Sequence, residues 1–192
     1  LTLNESLKIT RNFCIGFFWG SAMSAFFILP AWFEKNLVHI ETLTSGYFNY
    51  LAHFLDIKQI LFSLHWEYGS SQLGPNDDIL LAIGLLQWIL PLIALLLLFI
   101  FKKRKQFQYV FFLIILGWIA LFFTHSKSTV IWNSLPALAF IQFPWRFLLL
   151  AGFIFSVAAG SLAELFSIKK AVFFSILLFV LSYILYGEYF KP

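Results

Sequence analysis

Five apolar runs, residues 13–33, 79–101, 107–123, 145–166 and 171–187, each fall within the roughly 17–25 residues that an α-helix uses to cross the hydrocarbon core of a bilayer. A chain divided in this way has few folds open to it. Lipid offers no partner to a backbone N–H or C=O group, and a helix satisfies both internally. Composition agrees, because 61% of the residues are apolar and only 11% charged, against roughly 25% charged in a soluble domain. The expected fold is an all-α membrane protein. About five transmembrane helices and one outer interfacial amphipathic helix form a single transmembrane domain over residues 1–192. Cys14 is the single cysteine, so no internal disulfide is possible.

Orientation follows from the basic residues. Lys8, Arg11, Lys102, Lys103, Arg104, Lys105, Lys169 and Lys170 lie in short flanks on one side of the runs. Lys35, Lys58, Lys127, Arg146 and Lys191 are spread over longer segments on the other. The positive-inside rule then sets the N-terminal flank and the 102–105 turn in the cytoplasm, and the long loops 34–78 and 124–144 outside, in the plasma (inner) membrane. The net charge of +4 is thus a matter of membrane orientation, and nucleic acid is not an expected partner. The chain begins at Leu1 and ends shortly after an apolar run, so it is expected to be part of a longer polypeptide.

Two spans carry small residues at four-residue spacing: Gly16, Gly20 and Ser24 in the first, and Gly152, Ser156 and Gly160 in the fourth. Stripes of this kind let another helix approach closely and are read as helix-packing faces. In the first outer loop, residues 47–66 alternate with helical period. Tyr47, Leu51, Phe54, Ile57, Leu61 and Leu64 share one face and Asn49, His53, Asp56 and Ser63 the other, the pattern of a helix lying in the interface. Residues 69–78 read as a turn, with Asp77 and Asp78 placed to cap the next helix.

The residues that carry chemistry are few. Arg146 opens the fourth run in the string IQFPWRFL, residues 141–148. An arginine at a helix centre is uphill by about 3 kcal/mol, so it must reach the interface, face a cavity or hold an anion. A guanidinium offers a planar fork of donors that matches phosphate oxygens, which makes Arg146 the candidate lipid-phosphate contact, with snorkelling to the interface as the plain alternative. His39, His53, His65 and His125 all fall on the outer side with most of the acidic residues, so a divalent metal is conceivable. Their spacing nevertheless matches no HExxH or paired CxxC pattern. Glu34 and Glu41, just beyond the first span, are the candidate catalytic carboxylates.

Three stretches, residues 27–63 with the string LPAWFEK, 65–88, and 132–148 with IQFPWRFL, resemble the bacterial multi-pass membrane proteins called "6-pyruvoyl-tetrahydropterin synthase-related". Those are similar in layout to GT-C glycosyltransferases that use polyprenyl-phosphate sugar donors. The pterin label implies no chemistry here, since no three-histidine zinc set is present. The resemblance implies that this chain is a C-terminal part of the transmembrane domain and that Arg146 contacts the lipid phosphate. It also implies that the catalytic acidic residue of such enzymes, held in their first outward loop, lies upstream of Leu1. Two function classes stay open, a glycosyltransferase and a transporter or non-catalytic assembly component of the cell envelope. Ionisable residues at mid-span would favour transport. Gln87 is the only strongly polar side chain near a span's middle.

Overall fold

A computed structural model describes residues 3–34, 37, 39–64, 69–71, 77 and 79–187. His65, Glu67 and Asp78 lie outside the described residues, as does the Glu41 side chain. The chain is an all-α membrane protein. Among the described residues four helices are long and apolar enough to cross a membrane: Glu5–Phe33, Arg104–Thr124, Pro144–Leu165 and Ile168–Tyr186. The chain divides into two units, Leu1–Leu43 and Thr44–Pro192.

The first unit is dominated by α1 (Leu3–Phe33). It starts before the expected span and takes in Lys8 and Arg11. Pro30 sits one turn from its end, where the Glu34 N–H still reaches the Pro30 carbonyl at 2.8 Å. The stripe of Gly16, Gly20 and Ser24 is exposed, and the Ser24 hydroxyl donates to the Gly20 carbonyl.

The core of the second unit is made by α3 (Leu85–Ile100), α4 (Arg104–Thr124) and α6 (Phe147–Gly160). Lipid is as apolar as leucine, so transfer from water does not hold such helices together, and close packing must. The closeness comes from small residues. Ala120 of α4 and Ala151 and Ala158 of α6 are buried. At Gly117 an added Cβ would stand 2.3 Å from the Phe155 ring, so the glycine is what admits that ring. Phe155 is 1% exposed and meets Trp118 edge-on. The packed face of α6 is therefore Ala151, Phe155 and Ala158. The expected stripe runs beside it: Gly152 is half-buried against Ile83, whereas Ser156 and Gly160 are exposed. On α3 the buried line is Pro91, Ala94 and Leu98. The short α5 (Thr129–Ser134) buries Trp132, and α7 (Ile168–Tyr186) buries no residue.

Two expectations are corrected. The second span is shorter than the run 79–101, because residues 79–84 are not helical and α3 has only 16 residues. The Ile83 N–H donates to the Ile60 carbonyl at 2.8 Å, and Leu81 and Ile83 are buried with Leu55 and Ile60. Gly84, at φ +86°, then turns the chain into α3. Asp77 accordingly caps no helix, and instead accepts a hydrogen bond from the Gln59 amide at 2.6 Å.

Nor is the expected amphipathic helix 47–66 continuous over its described residues, 47–64. It is broken into the 3-10 turns Gly46–Phe48 and Tyr50–Ala52 and the six-residue α2 (Ile57–Phe62). Two side chains do the breaking: Asn49 accepts from the Leu51 N–H and Asp56 from the Lys58 N–H, the local bonds by which Asn and Asp favour caps over helix interiors. The Leu55 N–H donates across to the Thr124 carbonyl, which draws the chain out between the two. Tyr47, Leu51, Ile57 and Leu64 of the expected apolar face are exposed, while His53, assigned to the polar face, is 1% exposed.

Candidate functional site

One end of the α3–α4–α6 bundle gathers three irregular segments. Leu55 pairs with Thr124 through the backbone, Tyr50 stacks on Trp132 at 4.9 Å, and Phe147 stacks on Phe123 at 5.0 Å. Residues 44–63, 124–134 and 141–147 therefore meet where α4 ends and α6 begins.

The geometry of IQFPWR follows from its proline. Pro144 is buried and starts a 3-10 turn, Pro144–Arg146, where its missing N–H does no harm. Steric exclusion keeps the residue before a proline extended, and Phe143 has φ −116°, ψ 102°. The reversal is thus forced onto Gln142, which adopts φ 65°, ψ −49°. With the Phe143 N–H bonded to the Ile141 carbonyl at 2.7 Å, this is a γ-turn of the rarer, strained hand. Arg146 reaches back to the same carbonyl: its Nη1 donates to Ile141 O at 2.9 Å, and its guanidinium carbon lies 5.0 Å from the centre of the Phe143 ring. The motif is a loop closed by its own arginine.

Phe143 joins that loop to the protein. Its ring meets His53 at 4.7 Å, Trp145 at 5.3 Å, Tyr47 at 6.0 Å and Phe48 at 6.2 Å. His53 is held at both nitrogens. Nε2 faces the Tyr47 carbonyl, which can only accept, so Nε2 carries the proton. Nδ1 is then the acceptor, and the buried Ser71 hydroxyl donates to it at 2.8 Å. The indole N–H of Trp145 is buried and has no acceptor among the described residues.

Arg146 is exposed. One of its N–H groups is engaged with Ile141 and one face of its plane with Phe143, which orients a fork with five N–H donors in all. No aspartate or glutamate occurs from residue 79 to residue 163, so the segments 124–134 and 141–147 bring no carboxylate of their own, and the carboxylate of Asp56 in the segment 44–63 accepts from the Lys58 N–H. Trp145 and Leu148 pack on the buried cluster that includes Leu81 and Ile83. Ile83 in turn lines an apolar cavity of about 630 Å³ between the start of α3 and the end of α7, fringed by Gln87, Ser182, Tyr183 and Tyr186. The Tyr186 hydroxyl accepts from the Leu85 N–H there.

The two candidate carboxylates belong to the first unit. Glu34 is exposed at the end of α1, and Glu41 lies in the 3-10 turn Ile40–Thr44. His39 is exposed, and the His125 ring accepts from the Lys127 N–H. Among the described residues no group of three or more His, Cys, Asp or Glu side chains is arranged to hold a metal ion.

Sequence reasoning passed over Phe143, Gln142 and Ser71. The string F-P contained the signal for the first two, since a pre-proline residue is extended and the turn must fall before it. Ser71 had none, being one serine of a polar turn that meets His53 only in three dimensions. Comparisons of the chain with protein-family models, curated proteins and solved structures give no match.

Proposed function

We propose that this chain is the membrane part of a GT-C-like glycosyltransferase that takes a polyprenyl-phosphate-linked sugar at the outer face of the plasma membrane. The observation that carries this reading is Arg146, a guanidinium held by the Ile141 carbonyl and the Phe143 ring yet exposed beyond them. An anchored fork meets phosphate with less loss of side-chain freedom than a loose one. The 630 Å³ cavity suits the isoprenoid chain, since its walls are apolar and its size is that of a small-ligand pocket.

In the transfer, the acceptor hydroxyl attacks the anomeric carbon and the bond from that carbon to the phosphate oxygen breaks. Polyprenyl phosphate leaves with the electron pair. Arg146 stabilises the charge growing on that oxygen, and a carboxylate takes the acceptor's proton. By sequence alone, Glu34 and Glu41 are the candidates this chain offers for the base. No metal is needed for Arg146's part.

A second reading has its own observation. The Arg146–Ile141 bond closes a strained turn, so the arginine could serve folding alone in a transporter or assembly component. Binding of polyprenyl phosphate to the full-length protein separates the two. Arg146→Ala should weaken that binding at least tenfold and Arg146→Lys less, while binding of the phosphate-free polyprenol stays unchanged. If Arg146→Ala lowers only the melting temperature and leaves phosphate affinity intact, the arginine is a clamp and the glycosyltransferase reading loses its support in this chain.

A further inference from the structure

The opposite end of the bundle has a feature that the glycosyltransferase reading does not use. Between the end of α3 and the start of α4 lies a cavity of about 600 Å³ whose floor is Phe99, Ile100 and Phe107 and whose rim is Lys102, Arg104 and Gln108. The turn between the helices is a Schellman cap: the Lys102 N–H bonds to the Phe99 carbonyl and the Lys103 N–H to the Leu98 carbonyl. The residue at the left-handed position of such a cap is ordinarily glycine. Here it is Lys102, at φ 54°. The protein thus keeps a cation at the cavity mouth where glycine would fit the backbone better.

Four consecutive cations, Lys102 to Lys105, are exposed at this turn, and α4 has no acidic residue in its first turn. With no aspartate or glutamate from 79 to 163, α3, α4 and α6 do not neutralise that charge themselves; Glu164 follows α6, exposed, in the 3-10 turn Ser161–Leu165 that packs against α3. A ligand suited to this place carries an anionic head for the rim and apolar chains for the floor, and meets it at the membrane surface. We propose that the cavity is a binding site for an anionic phospholipid, its phosphodiester between Lys102 and Arg104 and its acyl chains along Phe99, Ile100 and Phe107. Basic pockets between transmembrane helices on the cytoplasmic side recognise lipid head groups in this way.

The test is native mass spectrometry of the full-length protein in neutral detergent, titrated with phosphatidylglycerol or phosphatidylcholine. Phosphatidylglycerol should bind at least tenfold more tightly. Lys102→Gly and Arg104→Gln should each weaken it about 5-fold and together about 25-fold, as expected for cations at an anionic surface. Lys102→Gly should at the same time raise the melting temperature in lipid-free detergent, because it relieves the left-handed backbone, so lost binding is separable from lost fold. Gln108→Trp, which fills the cavity without altering charge, should also abolish the preference. Lys169→Ser with Lys170→Ser should not change it. Equal affinity for the two lipids overturns the proposal. So does an equal loss in the Lys169/Lys170 variant, which would mean surface charge alone, or displacement of the lipid by millimolar glycerol phosphate, which would mean a free-phosphate site.

Discussion

At Phe143 the rings of His53, Tyr47, Phe48 and Trp145 and the guanidinium of Arg146 all come within about 6 Å, so one side chain links the buried histidine to the exposed arginine. Removing His53 would leave the buried Ser71 hydroxyl unpaired, at about 1–3 kcal/mol, and would open a cavity beside Phe143. His53→Ala should therefore lower the melting temperature of the detergent-solubilised protein well below that of Ser71→Ala, which removes one bond and little volume. Equal, small shifts would show that the histidine is not the pin of this end. None of this was legible in the sequence. His53 sits on the polar side of a helical wheel, and helical period is the wrong frame for a segment that Asn49 and Asp56 cut into turns. Its burial is decided by Ser71, Phe143 and Tyr47, two of which are 18 residues or more away.

The helices themselves were readable, because an apolar run long enough for a bilayer has one stable conformation there. Four of the five expected spans are long helices, and the remaining one, the second, is trimmed to Leu85–Ile100 by backbone pairing that apolarity does not report. How the helices pack was less readable. The regular stripe of Gly152, Ser156 and Gly160 drew the eye, but the tight contact uses Gly117, a lone glycine in α4 without a repeat. A contact between one glycine and one ring has no period to detect. The two glycines predict opposite outcomes. Gly117→Ala forces the methyl group against Phe155 and should destabilise by about 1–3 kcal/mol, and Phe155→Leu in the same protein should recover part of the loss. Gly160→Ala meets nothing within 4 Å and should be neutral or slightly stabilising, as alanine is the better helix former. Thermal unfolding of the three variants decides between them; a harmless Gly117→Ala would mean that α4 and α6 can part at this point.

Along the sequence the basic residues form two sets: eight fall in the short flanks at 8–11, 102–105 and 169–170, and five, Lys35, Lys58, Lys127, Arg146 and Lys191, in the remaining segments. Within the second unit this division is also a division of structure. The 102–105 turn lies at the end of the bundle where α3 meets α4, and the Phe143, His53 and Arg146 cluster where α4 meets α6. Because α4 runs from one to the other as a single 21-residue helix, the two ends must face opposite sides of the membrane if α4 crosses it. The positive-inside rule predicts a cytoplasmic basic turn, and the proposed orientation would present Arg146 to the outer face as the proposed donor chemistry requires. The native thiol, Cys14, is exposed, so the test starts from Cys14→Ala. In that background Ser45→Cys and Lys103→Cys, both at exposed positions, report the two ends. A membrane-impermeant maleimide added to intact cells should label Ser45→Cys directly and Lys103→Cys only after permeabilisation. The reverse pattern would put Arg146 in the cytoplasm, and with it would fall the outward-facing glycosyl transfer, while the lipid site at Lys102 would remain but on the opposite leaflet.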